Sequence, residues 1–547
     1  MTSPNARRPP SFWLGALALA GLGAERLAML AKAPPTDFDD AYTYLRYAHN
    51  LLGGQGVAWN PGEGQVNGAT SLLHLFVVAA LRWLFPALAP ADVLAAAAGG
   101  AAIGLLAALV GLLVLHARQP RLRGNWLFWT AVVLPLVAYR EAFGFHATTG
   151  MDTMLSALAN AVLVCATLQL AESPRPATVV WGAAAAMLAV LARPDNLLCA
   201  VFCPLLALAL PRPRGKLLLL FAALVAGGLG ALALAEWRWL GSPVPLSFFA
   251  KQPWYYGGFA GEYTWNPFLF LTVFGLSVWP FAVALVAFAD RAGWRRAAVL
   301  LLPALASIAV LFRFNQIMGH LGRFYYPFLP YFVAAGALAF DGWLARDVRL
   351  RSRATLVRAG VAAVLLLLGS RALTAAAELY ASAANAERLE PAGGFHVPAK
   401  TPLPDMDSWQ AAHSVAAIAA AAPAGASFAM SEHGLPGALA PQIAIIDLLG
   451  LHDPFFARHG FFAGELFRRE PDIIWLPHDD HTQMLREILG REDFWAHYVF
   501  YPDAFFHGLA LRRDGPHHER LAALVAGQWQ ARYPGFVMAD YQAVRDE

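Results

Sequence analysis

The stretch TSLLHLFVVAALRWLFPA (Thr70–Ala87) decides how this chain is arranged in a membrane. It is apolar, and its length is close to the roughly 20 residues that cross a bilayer as a helix. However, His74, Arg82 and Trp83 suit a helix lying at the membrane surface better than one in the hydrocarbon core. We therefore predict a juxtamembrane helix here, which leaves about eleven spans in the chain instead of twelve.

The composition around this stretch is that of a polytopic membrane protein. Of the 547 residues, 58% are hydrophobic and 14% are charged, whereas a soluble domain has about 25% charged residues. So little charge excludes a disordered chain and a nucleic-acid-binding protein. The net charge of +3 points to no polyanionic partner. Because the three cysteines lie in apolar runs, we predict no disulfide framework.

The apolar runs end near Leu379, and the sequence from about residue 380 onwards is rich in histidine, charged residues and proline turns. Short apolar segments alternate there with polar, helix-like stretches. The fold class that we predict is a polytopic α-helical membrane protein of about 11 transmembrane helices (1–380), followed by a C-terminal extracytoplasmic α/β domain (381–547). The expected spans are 11–31, 91–116, 125–140, 150–171, 177–192, 195–211, 215–239, 267–289, 297–313, 324–343 and 358–379.

Basic residues predict the orientation of these spans. With eleven spans, the short loops rich in arginine and lysine all fall on one side, which the positive-inside rule makes cytoplasmic. We therefore expect a multi-pass protein of a bacterial inner membrane, with a cytoplasmic N-terminus and an extracytoplasmic C-terminal domain. Four other segments then lie outside, the first of them with juxtamembrane helices: 32–90, 140–149, 240–266 and 314–323.

The first outer loop contains the segment TDFDDAYTYLRYAHNLL (Thr36–Leu52), whose periodicity predicts a short amphipathic helix. Asp39 and Arg46 lie two turns apart on its polar face, an arrangement that can set a base beside a phosphate. In the simpler interpretation, Asp39 and Asp40 cap the helix and favour its first turn. Spacing alone leaves both interpretations open.

The longer run DFDDAYTYLRYAHNLLGGQGVAWNPGEGQVNGATS (Asp37–Ser71) resembles the first outer loop of GT-C-type glycosyltransferases that use polyprenyl-phosphate sugars, in particular the mycobacterial terminal arabinofuranosyltransferases. It departs from their pattern at Gln65, Val66, Asn67 and Ala69, where that family tends to have Glu-Gly-Tyr. Further segments resemble the family in the same order, so the resemblance covers roughly residues 37–480. They are ATTGMDTML (Ala147–Leu155), LARPDNLL (Leu191–Leu198), PLSFFAKQ (Pro245–Gln252), MGHLGRFYYPFLP (Met318–Pro330) and IIDLLGLHDPFFARHG (Ile445–Gly460).

The resemblance implies a membrane glycosyltransferase that moves a sugar, with D-arabinofuranose expected, from a polyprenyl-phosphate donor to a cell-envelope glycan acceptor outside the membrane. Such a reaction needs a carboxylate near the acceptor hydroxyl, cations near the phosphate, and an apolar groove for the lipid. The family pattern implies Asp39 as the catalytic carboxylate, with Asp40 orienting hydroxyl groups. Lys251, Arg323 and Arg46 are the expected contacts of the donor phosphate, although snorkelling to lipid headgroups also explains the first two.

Other polar residues of the outer segments are predicted to contact the sugar or the acceptor. The resemblance implies this role for His146, Asp152 and His320. Arg193 and Asp195 lie between two apolar runs, where ionisable residues usually serve function, or they form an ion pair that shapes their turn. No cofactor and no metal site are predicted, because the histidines and carboxylates lack the spacing of metal ligands.

Two alternatives to this function remain open. The same mechanism could move another sugar, mannose or aminoarabinose, to protein or to lipid A. A lipid-linked-sugar flippase or transporter is a different class, and it predicts internal repeats and ionisable residues in mid-span. No repeat is evident in the sequence, and its polar residues sort to one side of the predicted membrane.

Overall fold

The computed structural model describes residues 38–116, 140–210, 214–252, 265–314, 316, 318–344, 353–386, 394–398, 401–478 and 481–546. The chain divides into two compact units that alternate along the sequence. Unit 1 consists of residues 1–36, 95–230 and 265–384, and unit 2 consists of residues 37–94, 231–264 and 385–547. The change of unit after residue 384 lies near the predicted domain boundary, but the first outer loop belongs to the same unit as the C-terminal segment.

Six described helices are long and apolar enough to cross a membrane, and by length and composition the chain is a multi-pass, mostly helical membrane protein. Each of them overlaps one of the predicted spans. They are Pro90–His116, Thr153–Glu172, Gly215–Leu240, Asn266–Phe288, Arg291–Leu311 and Arg353–Ala386.

Three shorter apolar helices, Pro176–Ala192, Leu197–Ala209 and Leu329–Leu344, coincide with further predicted spans. The predicted span 11–31 and nearly all of 125–140 lie outside the described residues. The total of eleven spans therefore stays a prediction. Unit 1 also contains short helical segments, namely Arg140–Thr148, Pro194–Asn196, His320–Gly322 and Tyr326–Phe328.

Local sequence explains where several of these helices begin. Pro176 occupies the first helical position, where its missing N–H group costs nothing. The carboxylate of Asp290 accepts the N–H of Gly293 at 2.7 Å and so caps the helix Arg291–Leu311. Pro194 separates the helices Pro176–Ala192 and Leu197–Ala209, which places Arg193 in the extended turn between them.

Unit 2 combines the first outer loop with the sheet of the C-terminal segment. Its first helix, Asp39–Leu52, is called the loop helix below. The other helices are Leu72–Leu84, Leu246–Ala250, Ser408–Ala421, Gly434–Leu439, Pro454–His459, Ala463–Arg468, Thr482–Leu489, Glu492–His497, His518–Arg532 and the 3-10 turn Met538–Tyr541.

Seven strands are described in this unit: β1 (Phe395–His396), β2 (Ser427–Met430), β3 (Ala444–Asp447), β4 (Ile473–Trp475), β5 (Tyr498–Tyr501), β6 (Leu509–Arg512) and β7 (Val544–Arg545). Five of them form a mixed sheet in the order β3-β2-β4-β6-β5, and β1 pairs with β7 in a separate antiparallel ribbon. Strand β2 runs parallel to both β3 and β4. The carboxyl ends of β2 and β3 consequently meet at one edge of the sheet, where Met430 pairs with Asp447.

The stretch Thr70–Ala87 folds as the helix Leu72–Leu84, and Ser71 caps it by accepting the N–H of His74 at 3.1 Å. At 1.5 Å per residue a helix of 13 residues rises about 20 Å, which is less than the roughly 30 Å of hydrocarbon in a bilayer. The helix Leu197–Ala209, which coincides with a predicted span, has the same 13 residues. Length alone therefore does not separate the two, and the surface location of Leu72–Leu84 stays a prediction.

Candidate active site

The catalytic carboxylate implied by the resemblance, Asp39, begins the loop helix and is 9% exposed. Its Oδ2 accepts the N–H of Gly434 at 2.6 Å, and its Oδ1 accepts the N–H of Leu435 at 2.7 Å. A Cβ atom at Gly434 would overlap the carbonyl oxygen of Asp39, so this close approach requires glycine. The two N–H donors therefore fix the orientation of the Asp39 carboxylate.

Further carboxylates surround Asp39 and influence its protonation. Burial raises the pKa of the Asp39 carboxyl above its usual value, against the charge of His433 and the two N–H donors. Burial and the charge of Asp39 together raise the pKa of Glu432 to about 7. The carboxylate of Asp40, which is half-buried, adds to the negative charge felt by both. At Asp39 and Glu432, burial and neighbouring negative charge therefore favour the protonated form of the carboxyl group.

The environment of Arg46 differs from the one expected for a residue that contacts the donor phosphate. The side chain is completely buried, and all five of its N–H groups are donated within unit 2. The acceptors are the Asn60 side chain and four backbone carbonyls, those of Trp59, Gly437, Ala440 and Ile443. Because no N–H of the guanidinium is left for a ligand, the structure gives Arg46 a structural role in place of the predicted phosphate contact.

Asn60 explains why the irregular Gly- and Pro-rich loop after the loop helix is held in place. Its Oδ1 accepts the N–H of Ile445 at 2.8 Å, and its Nδ2 donates to the carbonyl of Ile445 at 2.9 Å. Asn50 in turn donates to the carbonyls of Ala58 and Trp59. The loop is therefore attached to strand β3 on one side and to the loop helix on the other.

Lys251, a predicted phosphate contact, follows the short helix Leu246–Ala250 and is half-buried. This helix is tied to the first outer loop, because the N–H of Leu246 donates to the carbonyl of Asn67 at 2.6 Å. It also packs against the helix Pro454–His459. Lys251 thus lies in unit 2, in the same unit as Asp39, and its phosphate role stays a prediction.

In unit 1, the structure brings Arg193, Asp152 and Asp195 together in one buried ion pair network. The Nη1 atom of Arg193 lies 3.1 Å from Oδ1 of Asp152, and its Nη2 atom lies 3.0 Å from Oδ2 of Asp195. Arg193 is 5% exposed and Asp152 is 1% exposed. The contact with Asp195 agrees with the interpretation in which Arg193 and Asp195 form an ion pair that shapes the turn at Pro194. Asp152 is a further partner of Arg193 that the sequence did not indicate.

The other predicted contacts of unit 1 lie around the segment Met318–Pro330. His146 is fully buried, and its Nε2 lies 3.1 Å from the carbonyl oxygen of Leu321. Arg323 is 6% exposed, with its guanidinium 5.4 Å from the ring centre of Phe324. His320, in contrast, is exposed. Their roles in binding sugar or phosphate remain predictions.

The sequence interpretation missed a buried cluster of His433, Asp447 and His452 in unit 2. One possible ligand atom from each residue lies within 4.8 Å of the others. Burial by itself lowers the pKa of His433, but the carboxylates of Asp447, Asp39 and Glu432 together outweigh it and raise this pKa to about 9. Burial by itself raises the pKa of Asp447, but His433 and His452 together lower it to about 2. The sequence signal was weak, because His433 lies outside the segment that contains Asp447 and His452, and the three residues lack a recognisable ligand spacing.

Two solved structures are remotely similar to this chain. One is ArnT from Cupriavidus metallidurans in the apo state, with 13% sequence identity and a TM-score of 0.46, covering 86% of this chain and 92% of that chain. The other is ArnT from the same organism bound to undecaprenyl phosphate, with 12% identity and a TM-score of 0.45, covering 90% of this chain and 98% of that chain. No protein-family model and no curated protein matches the sequence. The functional assignment therefore depends on the residues of the chain itself.

Proposed function

We propose that this chain is an integral-membrane glycosyltransferase that moves a sugar from a polyprenyl-phosphate donor to an extracytoplasmic glycan. One observation carries the proposal. The six family-like segments are far apart in the sequence, yet they come together in space as two sets of three, one set within each unit.

In unit 2, the first outer loop contacts both of the other family-like segments of that unit. The hydroxyl oxygen of Tyr47 lies 2.9 Å from Nδ1 of His452 in the segment Ile445–Gly460. The Oγ1 atom of Thr70 lies 3.2 Å from Oγ of Ser247 in the segment Pro245–Gln252. A shared binding site requires that the segments common to a family also contact one another in the fold. Segments that resembled the family by chance would be scattered over the structure.

The second set, in unit 1, is held together by the buried ion pairs of Arg193. Arg193 belongs to the segment Leu191–Leu198 and binds Asp152 of the segment Ala147–Leu155. Its guanidinium also lies 5.8 Å from the ring centre of Phe324 in the segment Met318–Pro330. This set therefore forms a buried polar centre in a unit built of apolar helices.

In the proposed reaction, Asp39 accepts the proton of the acceptor hydroxyl, whose oxygen then attacks the sugar carbon that bears the phosphate. The carbon–oxygen bond to the phosphate breaks, and the polyprenyl phosphate leaves without needing a proton. A carboxylate has about four lone-pair sites, so Asp39 can accept a proton while it keeps both N–H bonds. The raised pKa of Asp39 favours this role, because a stronger base takes the proton more readily.

The proposal also includes the residues that bind the donor and the identity of the sugar. Lys251 and Arg323 are the candidate phosphate contacts, and His146 and His320 the candidate sugar or acceptor contacts. D-arabinofuranose is the first candidate sugar, on the motifs quoted above. Mannose and aminoarabinose remain the alternatives, with protein or lipid A as acceptor.

The substitution Asp39→Asn tests the proposal. Purified protein in lipid nanodiscs is incubated with polyprenyl-phosphate arabinofuranose, mannose or aminoarabinose and a glycan acceptor, and the product is measured by mass spectrometry. Because loss of a general base costs roughly 100-fold to 10,000-fold in rate, we expect the Asp39→Asn variant to lose transfer to that extent. The control is Asp92→Asn, which alters an exposed carboxylate in the first turn of the helix Pro90–His116.

The thermal unfolding temperature of each variant shows whether the fold is retained. Full transfer by a folded Asp39→Asn protein would refute the role of Asp39. If the wild-type protein instead moves the lipid-linked sugar across the bilayer of a vesicle without forming product, the chain is a flippase.

A further inference from the structure

The topology of the sheet in unit 2 brings His433, Asp447 and His452 to one place. His433 follows β2, Asp447 ends β3, and His452 lies in the turn that follows β3. Because β2 and β3 are parallel neighbours, both segments leave the sheet at the same edge, where open sheets commonly form binding sites. The cluster is therefore a consequence of the fold and not of spacing along the sequence.

All three side chains are nearly inaccessible to solvent. The exposed fractions are 1% for His433, 0% for Asp447 and 6% for His452. The Nε2 atom of His433 lies 3.2 Å from Oδ1 of Asp447. Among the residues that the structure describes, the Nδ1 atom of His433 has no hydrogen-bond partner. A buried ring nitrogen without a partner is costly, and a metal ion that accepts its lone pair removes part of this cost.

Hydrogen bonds and ring stacking hold the side chains of His452 and Asp447 in fixed orientations, as is usual for metal ligands. Nδ1 of His452 lies 2.9 Å from the hydroxyl of Tyr47, which leaves Nε2 for a ligand. The Trp59 ring stacks on His452 with ring centres 4.1 Å apart. Asp447 accepts the N–H groups of Leu449 and His452. Hydrogen bonds of this kind, made by the ligands to groups outside the site, fix ring orientation and carboxylate direction in protein metal sites.

Charge also favours a cation at this place. Three more carboxylates interact electrostatically with the histidines of the cluster. Asp39 and Glu432 act on His433, and Asp40 acts on His452. The nearby positive charge of Arg46 is already bonded to oxygen atoms, so it offers these carboxylates no direct contact. A divalent ion would relieve the repulsion among the carboxylates.

We propose that His433, Asp447 and His452 form a binding site for a divalent transition-metal ion, with zinc as the first candidate. Two imidazoles and one carboxylate suit zinc or iron better than magnesium or calcium, which prefer oxygen ligands. With three protein ligands, a fourth position remains for water. Metal–ligand bonds of about 2.1 Å require the three side chains to move closer by an ångström or so. Metal binding would fix the position of Gly434 and Leu435, whose N–H groups are donated to Asp39. The proposed metal site does not depend on the proposed transfer reaction.

Metal analysis tests the site directly. The full-length protein is prepared without a polyhistidine tag, dialysed against a zinc buffer, and analysed by inductively coupled plasma mass spectrometry. A site of this ligand set predicts about one zinc or iron ion per chain. Removal of the metal with dipicolinate should lower the thermal unfolding temperature, and zinc chloride should restore it. Cobalt(II) in place of zinc should give the visible absorption of a four-coordinate site.

Variants separate this site from adventitious binding. His433→Gln and His452→Asn should each lose most of the bound metal and the zinc-dependent rise in unfolding temperature. The matched control is His413→Ala, because His413 is exposed on the helix Ser408–Ala421 of the same unit. It should retain both the metal and the zinc response.

A metal content near zero in the wild-type protein, with no zinc effect on its unfolding, would overturn the proposal. The cluster would then be a buried ion pair of protonated His433 with Asp447. Equal metal content in the wild-type protein and in both folded histidine variants would also overturn it.

Discussion

Arg46 shows how far the chemistry of one residue can be predicted without its environment. The sequence places an arginine on the polar face of a helix in an outer loop, and a phosphate contact was a reasonable expectation. In the structure, the side chain is buried and bonded to backbone carbonyls that are about 390 residues away, such as those of Gly437 and Ala440. No pattern within the loop could indicate these partners.

The substitution Arg46→Lys should destabilise unit 2. Lysine has three donors in place of the five of arginine, so at least two buried oxygen atoms lose their partners at a cost of about 1–3 kcal/mol each. Thermal unfolding in detergent, followed by tryptophan fluorescence, measures the effect. Arg520→Lys, on the exposed face of the helix His518–Arg532, is the matched control and should leave the unfolding temperature unchanged. An equal effect of both substitutions would contradict the structural role of Arg46.

Asp39 shows what the sequence predicts of one residue and what it leaves open. Phe38 and not Asp39 caps the loop helix, and the role of Asp39 as a base stays a prediction. Asp39 lies in the first turn of the loop helix, as a helix-favouring carboxylate does. It also lies among other carboxyl groups with its own pKa raised, as a base does. The sequence could not show that its oxygen atoms accept N–H groups of the helix Gly434–Leu439, since that contact spans almost 400 residues.

At the scale of elements, the contact between the loop helix and the helix Gly434–Leu439 depends on a missing side chain. A Cβ atom at Gly434 would meet backbone atoms of Asp39, which cannot move aside as a flexible side chain can. The identity of residue 434 therefore determines whether these two helices can approach each other.

The substitution Gly434→Ala should consequently separate the two helices. We expect a loss of about 1–3 kcal/mol in the free energy of unfolding, the usual cost of overpacking, together with loss of transfer activity. The matched control is Gly527→Ala in the helix His518–Arg532, where a Cβ atom meets nothing within 4 Å. That change should be neutral or stabilise by up to about 1 kcal/mol, because glycine is a poor helix former. A fully stable, fully active Gly434→Ala protein would show that the two helices tolerate a larger separation.

At the scale of the whole molecule, the basic loops predict the orientation in the membrane, and this prediction is open to a direct test. Single cysteines are introduced at Arg520 and at Arg291, two exposed positions, in a variant whose three native cysteines are replaced. A maleimide that cannot cross membranes should label Arg520→Cys in intact spheroplasts. It should label Arg291→Cys only after permeabilisation, because that residue begins the helix Arg291–Leu311 at the end that the positive-inside rule places in the cytoplasm. The opposite pattern would reverse the predicted topology.

Composition and periodicity by themselves determined that this chain is a helical, multi-pass membrane protein, and they predicted the positions of its long apolar helices. They could do so because a membrane span is a local property, set by the length and hydropathy of one segment. The loop helix was also predictable, since its apolar spacing and acidic first turn are local features. The tertiary structure decided which distant residues share a site. It attached Arg46 and Asp39 to the segment 433–443, and it gathered His433, Asp447 and His452 at the ends of two parallel strands. The physical reason is that hydrogen bonds and ligand clusters join groups by distance in space, and the sheet topology that sets this distance is not contained in any single segment.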